Sequence, residues 1–195
     1  MPATKPEGSA RDRLLAAANE LFYEEGIHTV GIDRVIERAG VAKASLYSTF
    51  GSKDELVRAY LASRAEARQR RIAEKIAGHE APRDRILAVF DALGESIVLP
   101  TFRGCAFMNA TAEGPRRDTP VSQVCADSRS WISDRFTELA RSAGAADPAE
   151  LGRQLTMLYD GATIAAAMDQ DMAAATRARA MAALVIDAAT ASRTA

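Results

Sequence analysis

Apolar residues along the chain recur at spacings of three and four, and strand-like alternation is absent, so the pattern predicts an all-α protein of about nine helices. Leu14, Leu15, Ala18, Leu21 and Phe22 form one stripe, which predicts a first helix from about Ala10, capped by Ser9, to Glu25. Ile32, Val35 and Ile36 mark a second helix, broken at Ala39-Gly40-Val41, where Gly40 suits the left-handed conformation that ends helices. A short third helix follows, with Leu46 and Phe50 four apart on one face. With Val41 these pack on the preceding helix, which turns Lys43, Ala44, Tyr47 and Ser48 outward. Ser52-Lys53-Asp54-Glu55 is a Ser-x-x-Glu capping box and opens a fourth helix that meets no Gly or Pro before Gly78, so it reaches about Ile76.

After the break from Gly78 to Pro82, the spacing of Ile86, Phe90, Leu93 and Ile97 predicts a helix over Asp84 to Leu99, stopped by Pro100. A short apolar helix from Cys105 to Ala112 precedes a Gly114-Pro115 break, and Pro120 stands at the first turn of a longer helix that Gly144 ends. Asp147-Pro148-Ala149-Glu150 has the cap, first-turn proline and capping-box glutamate of a strong helix start. A final helix runs from Met172 to about Ala191. The stretch from Arg64 to Lys75 is mostly charged residues and alanine, so that part of the fourth helix reads as a solvated bridge between two bodies. These features divide the chain into a disordered tail over residues 1–9, a helix-turn-helix domain over 10–54 and a helical domain over 55–195.

The outward face of the third helix is small, polar and once basic. That suits a major groove, where a long donor reaches base edges, small residues allow close approach and hydroxyls bond phosphates. Lys53 in a helical first turn opposes the helix dipole, and is either a phosphate contact or a solvated lysine. Residues 10 to 56, with the Ala39-Gly40-Val41 turn, the Leu46-Tyr47-x-x-Phe50 run and the Ser52-Lys53-x-x-Leu56 start, resemble the DNA-binding domain of the tetracycline-repressor (TetR) family of bacterial transcription regulators. By position, the resemblance implies DNA contacts from Lys43, Ala44, Ser45, Tyr47, Ser48, Thr49 and Lys53. Two positions depart from it. Ala42 stands where the family usually has Ser or Thr, and a hydroxyl cap replaced by Ala typically costs ~0.5–2 kcal/mol, so the third helix is expected to fray or shift by a residue. Gly31 stands where a Thr is usual, which removes one phosphate contact.

A net charge of −1 gives no global attraction to DNA. Up to residue 53 the basic Lys5, Arg11, Arg13, Arg34, Arg38, Lys43 and Lys53 are matched by Glu7, Asp12, Glu20, Glu24, Glu25, Asp33 and Glu37, so affinity must come from placement. The bases lie near the chain start and on helices two to four, the glutamates at the far end of helix one, which predicts a polarised domain. Lys5 in the tail is either a minor-groove contact or solvated. Cys105 and Cys125 form no CxxC pair, no charged and apolar leader pattern opens the chain, and no apolar run approaches the ~20 residues of a membrane helix. The expectation is a cytoplasmic protein with no membrane partner.

His28 and His79 belong to no metal-binding spacing, and nucleophile-elbow, phosphate-loop and dinucleotide patterns are absent, so neither an enzyme nor a cofactor or metal is expected. A small-molecule site is expected instead, lined by Phe90, Phe107, Met108, Trp131 and Met157 with Asn109 and Asp160 as polar groups, although such residues at helical spacing are also ordinary core. The resemblance shifts this toward an inducer cavity, and a mostly apolar lining favours a hydrophobic or aromatic molecule. Arg103-Gly104-Cys105 with Asn109 resembles a Gly-Cys…Asn pattern in one subset of the family; Cys105 is either a sensor thiol or an inert buried one. In the last two helices Leu155, Leu158, Ala162, Met181, Leu184 and Val185 are core or a homodimer interface, and the resemblance implies the interface. The resulting expectation is a homodimeric, ligand-responsive repressor on a palindromic operator. Its alternatives are an activator of the same fold, or a helical binding protein or enzyme that has abandoned its helix-turn-helix.

Overall fold

The structure, a computed structural model, describes residues 8–113 and 119–191. Most of the expected tail, with Lys5, and the Gly114-Pro115 break lie outside the described residues. Nine helices and no strand are found among them: α1 Ala10–Glu25, α2 Ile32–Ala39, α3 Lys43–Phe50, α4 Lys53–Ala77, α5 Pro82–Ile97, α6 Ala106–Glu113, α7 Pro120–Ser142, α8 Pro148–Met168 and α9 Ala174–Thr190.

Most helix ends follow from local chemistry. Ser9 and Asp12 form a reciprocal capping box on α1, the Glu55 N–H donates to Ser52 Oγ at the start of α4, and the Glu150 N–H donates to Asp147 Oδ1 at the start of α8. Gly40 closes α2 in the left-handed region, at φ 61°. Helix α5 begins at Pro82, two residues earlier than the spacing predicts, because a proline at the first helical position lacks only an N–H that would be unpaired anyway. It also ends earlier, at Ile97, where the chain turns through Val98 and Leu99.

The chain divides into two compact units, one containing the residues up to Ala65 with Ala106–Ala126, the other Glu66–Cys105 with Asp127 onward. The unit carrying the helix-turn-helix thus runs beyond residue 54, where the motif ends. In this first unit α1 packs on α2 and α3 around Leu14, Ala18, Leu21, Val35 and Leu46, and Phe22 meets Tyr60 edge-on at 5.7 Å. Burial of these apolar groups stabilises by ~1.5–3 kcal/mol per large side chain.

The second unit has the deeper core. Helix α5 is buried nearly all round, through Ile86, Leu87, Val89, Phe90, Leu93 and Ile97, and packs with α8 and α9. Phe90, Phe136 and Tyr159 from α5, α7 and α8 form a ring cluster with centroids 5.6 to 6.3 Å apart. Helices α7 and α8 touch backbone to side chain at Gly152: a Cβ there would lie 3.0 Å from the N and Cα of Thr137 and nearer still to its Oγ1.

Two expectations are corrected here. Arg64 and Arg68 are not solvated: Arg64 stacks on Tyr23 at 3.8 Å and donates to the Asn19 carbonyl, and Arg68 donates to Ser128, while Arg70 is exposed as expected. Guanidinium groups pack against aromatic faces at little cost, so a charged run can face inward. The stripe on α8 is also divided. Leu155 and Ala162 are buried within the chain and Leu158 packs against the same core, so the first two cannot face a second copy. The exposed apolar residues of α8 are Met157, Ile164 and Met168, and those of α9 are Met181 and Leu184; Val185 packs on the core.

Candidate nucleic-acid interface

Helix α3 is anchored by Leu46, which is wholly buried, so the remainder of its surface is fixed in direction. Lys43, Ala44, Tyr47, Ser48 and Thr49 are exposed on it and Ser45 is half-buried. Tyr47 keeps 47% of its surface in solvent, an unusual exposure for a ring of that size and one suited to a base methyl or sugar. The Ser48 hydroxyl donates to the Ser45 carbonyl at 3.2 Å, which leaves its lone pairs outward.

The start of α3 has no side-chain cap. Ala42 keeps the extended backbone of a cap residue, the helix begins at Lys43, and the Ser45 N–H turns back to the Ala42 carbonyl at 2.9 Å. Gly31 caps α2 in the same bare way. The N–H groups that hydroxyl caps would occupy are left for water or phosphate.

Charge is arranged differently from the polarised domain expected. Lys43 Nζ donates to Asp33 Oδ1 at 2.9 Å, which raises the lysine's pKa above its ordinary value. Arg38 is held by Glu20 and Arg34 by Glu25, across helices, and each hydrogen-bonded carboxylate raises the pKa of its arginine. The glutamates of α1 therefore reach the bases of α2 and neutralise them pairwise. All three pairs are exposed, where an ion pair is worth ~0–1 kcal/mol, so a phosphate can displace the carboxylate cheaply.

Lys53 is different. It is partly buried beside the Phe22 ring, 5.9 Å from the centroid, and desolvation lowers its pKa while Asp54 and Glu113 oppose that shift. Glu113, the last residue of α6, is a functional candidate that the sequence does not announce. Its Oε2 accepts the His28 N–H at 2.8 Å in the turn between α1 and α2, and its carboxylate fills the space beside Gly26, whose φ is 95°. Helix α6 thus holds the turn that sets the angle between the first two helices.

The residues expected to line a ligand site fall into both units. In the first, Phe107 is buried, Met108 half-buried and Asn109 exposed. In the second, Phe90 is wholly buried in the ring cluster, Trp131 is half-buried under the Arg68 guanidinium at 5.7 Å, and Asp160 is paired with Arg129. Met157 is 72% exposed and lines no interior of its unit. Arg68 and Arg71, which do face that interior, had a readable signal in their spacing with Ile72 and Ile76. Cys105 and Cys125 are half-buried and form no disulfide with each other. No cluster of His, Cys, Asp or Glu that could hold a metal occurs among the described residues, and no helix among them is long and apolar enough to cross a membrane.

Residues 14–60 match the family described as bacterial regulatory proteins, tetR family. A solved TetR-family transcriptional regulator from Streptomyces coelicolor is 36% identical and superposes with a TM-score of 0.88, over 93% of this chain and 96% of that one. The transcriptional activator FasR of Mycolicibacterium smegmatis is 46% identical over 56 residues, which are 29% of this chain and 26% of FasR. The transcriptional repressor NemR of Escherichia coli is 31% identical over 109 residues, 55% of each protein. Similarity of this identity along nearly the whole of both chains, joined to an outward-facing third helix on a helix-turn-helix, means that the chain belongs to the TetR family of transcriptional regulators.

Proposed function

We propose that this regulator is a homodimeric, ligand-responsive repressor that reads a palindromic operator with α3 and is released by a small molecule bound in its second unit. The observation that carries the DNA part is the face of α3: Leu46 is sealed inside, and Lys43, Ala44, Tyr47, Ser48 and Thr49 share the exposed surface. Lys43 exchanges Asp33 for a base edge, Tyr47, Ser48 and Thr49 contact sugar, methyl and phosphate, Ala44 and Ser45 allow close approach, and Lys53 meets the backbone beside the start of α4. The protein works in the cytoplasm, where the chromosome is.

One α3 reads only a few base pairs, and two of them ~34–36 Å apart on a two-fold axis read a palindrome. The exposed strips of Met157, Ile164 and Met168 on α8 and Met181 and Leu184 on α9 favour these helices as the dimer face, since large apolar side chains left in water are otherwise costly. Release follows if the ligand tilts α4, which runs through both units. FasR is named an activator, but its likeness is confined to 56 residues and does not favour that reading for the whole chain.

Selection of bound fragments from genomic DNA, followed by titration on the selected and a scrambled duplex, tests the proposal. Lys43→Ala should weaken the selected duplex by ~1–3 kcal/mol and hardly touch the scrambled one. Absence of any preferred sequence, or equal loss on both duplexes, rejects the role of α3.

A further inference from the structure

Helix α4 enters the second unit with Arg68, Arg71, Ile72 and Ile76 on one side, at helical spacing, and the two isoleucines are buried in its core. Arg68 Nη2 donates to both the carbonyl and the hydroxyl of Ser128 at 2.8 Å, and its guanidinium lies over the Trp131 ring. Arg71 has a buried Nε with no hydrogen-bond partner. Other arginines with a buried Nε have a partner for the head: Arg13 donates to the Gly40 carbonyl, Arg64 to the Asn19 carbonyl, and Arg179 pairs with Asp91.

Four other cations of this unit have acids. Lys75 pairs with Glu95, Arg83 with Asp187, Arg129 with Asp160 and Arg177 with Asp171. No acid pairs with Arg71 among the described residues. A part-buried guanidinium without an anion keeps its desolvation cost and gains nothing back. In the same unit the Tyr159 ring packs against Phe90 and Phe136. Burial raises the pKa of its phenol, with Arg68 and Arg71 near enough to pull the other way, so the hydroxyl stays protonated and able to donate.

We propose that the second unit takes a carboxylate ligand with an apolar body, its carboxylate held by Arg71 with Tyr159 and Arg68 beside it, and its body against the aromatic side chains of that core. This rests on the reading of that unit as the ligand-binding one, and it narrows the hydrophobic or aromatic inducer expected from a mostly apolar lining to one that carries a carboxylate. A guanidinium offers two parallel N–H donors to a planar carboxylate, a geometry that a neutral amide does not reproduce.

Trp131, the single tryptophan, is the reporter on the free protein. Benzoate, naphthoate and decanoate are titrated against their own carboxamides, on wild type, Arg71→Gln and Arg71→Lys, with circular dichroism to verify that each variant is folded. At least one acid should bind wild type at least about tenfold more tightly than its amide. Arg71→Gln should erase that preference and Arg71→Lys keep most of it. If no acid binds wild type, if amides bind as well, or if folded Arg71→Gln keeps the preference, the proposal is overturned. DNA titration is the separate arm: a protein that prefers acids yet selects no DNA sequence contradicts the repressor reading and leaves the ligand assignment standing.

Discussion

The two units of this chain spend their charge in opposite ways. In the first, Arg34, Arg38 and Lys43 each meet a carboxylate on a neighbouring helix at the surface, so a nearly neutral face presents cations that water or a phosphate can recover. In the second, α4 brings Arg68 over the Trp131 ring, and Arg71, on the same side of the helix, has no acid among the described residues. Surface pairs are cheap to open and suit a partner that is itself a polyanion; a part-buried cation is expensive and suits one well-fitted small anion. In the functions proposed above, the same residue types serve DNA in one place and a small molecule in the other, and burial separates the two.

The comparison can be broken most severely from the interior. Phe136→Ala removes a wholly buried ring that touches both Phe90 and Tyr159, and should cost ~3–5 kcal/mol in denaturant unfolding. A loss below about 1 kcal/mol would mean that this core is loosely packed and that enclosed charge there is no special burden. Next in size is Leu184→Glu, which places a charge on the exposed strip of α9. Sedimentation should show monomers of unchanged helical content, whereas a variant that remains dimeric moves the interface off α8 and α9.

A smaller effect sharpens the first half of the contrast. Asp33→Asn frees Lys43 from its carboxylate and should raise affinity for the selected duplex by up to ~1 kcal/mol, more than for a scrambled one. Unchanged affinity would show that the pair does not hold Lys43 back. The smallest change is at Asp12. The side chain and backbone N–H of Ser9 lower its pKa below 3.8, so its contribution to the α1 cap is complete above that pH and fades as pH falls through the lowered pKa. Asp12→Asn should accordingly unfold more readily than wild type near neutral pH, and the difference should shrink as pH falls below 3.8.

The helix boundaries were legible because caps, prolines and Gly40 act within a few residues of themselves. The outward face of α3 was legible for a related reason: one buried leucine, Leu46, decides the direction of an eight-residue helix. Three things were not. Lys43 and Asp33 are ten residues apart on different helices, and nothing in their spacing distinguishes a pair from two solvated charges. On α8, alanine, glycine, methionine and leucine occupy more than one side, so periodicity fits the buried row of Leu155 and Ala162 as well as the exposed row of Met157 and Ile164. On α4 the spacing with Ile72 and Ile76 marks the inward side, but composition, which reads the stretch as solvated, says nothing of the aromatic partners, Tyr23 and Trp131, that receive Arg64 and Arg68.

Gly26 and Glu113 place a mutual constraint on how this sequence can drift. A side chain at position 26 is opposed twice, by a backbone at φ 95° and by carboxylate oxygens 3.1 to 3.2 Å from where its first carbon would sit. Shortening Glu113 clears the space yet deletes the acceptor of the His28 N–H, so neither position has a harmless first step on its own. Two residues 87 positions apart in the chain are therefore bound to change together or not at all.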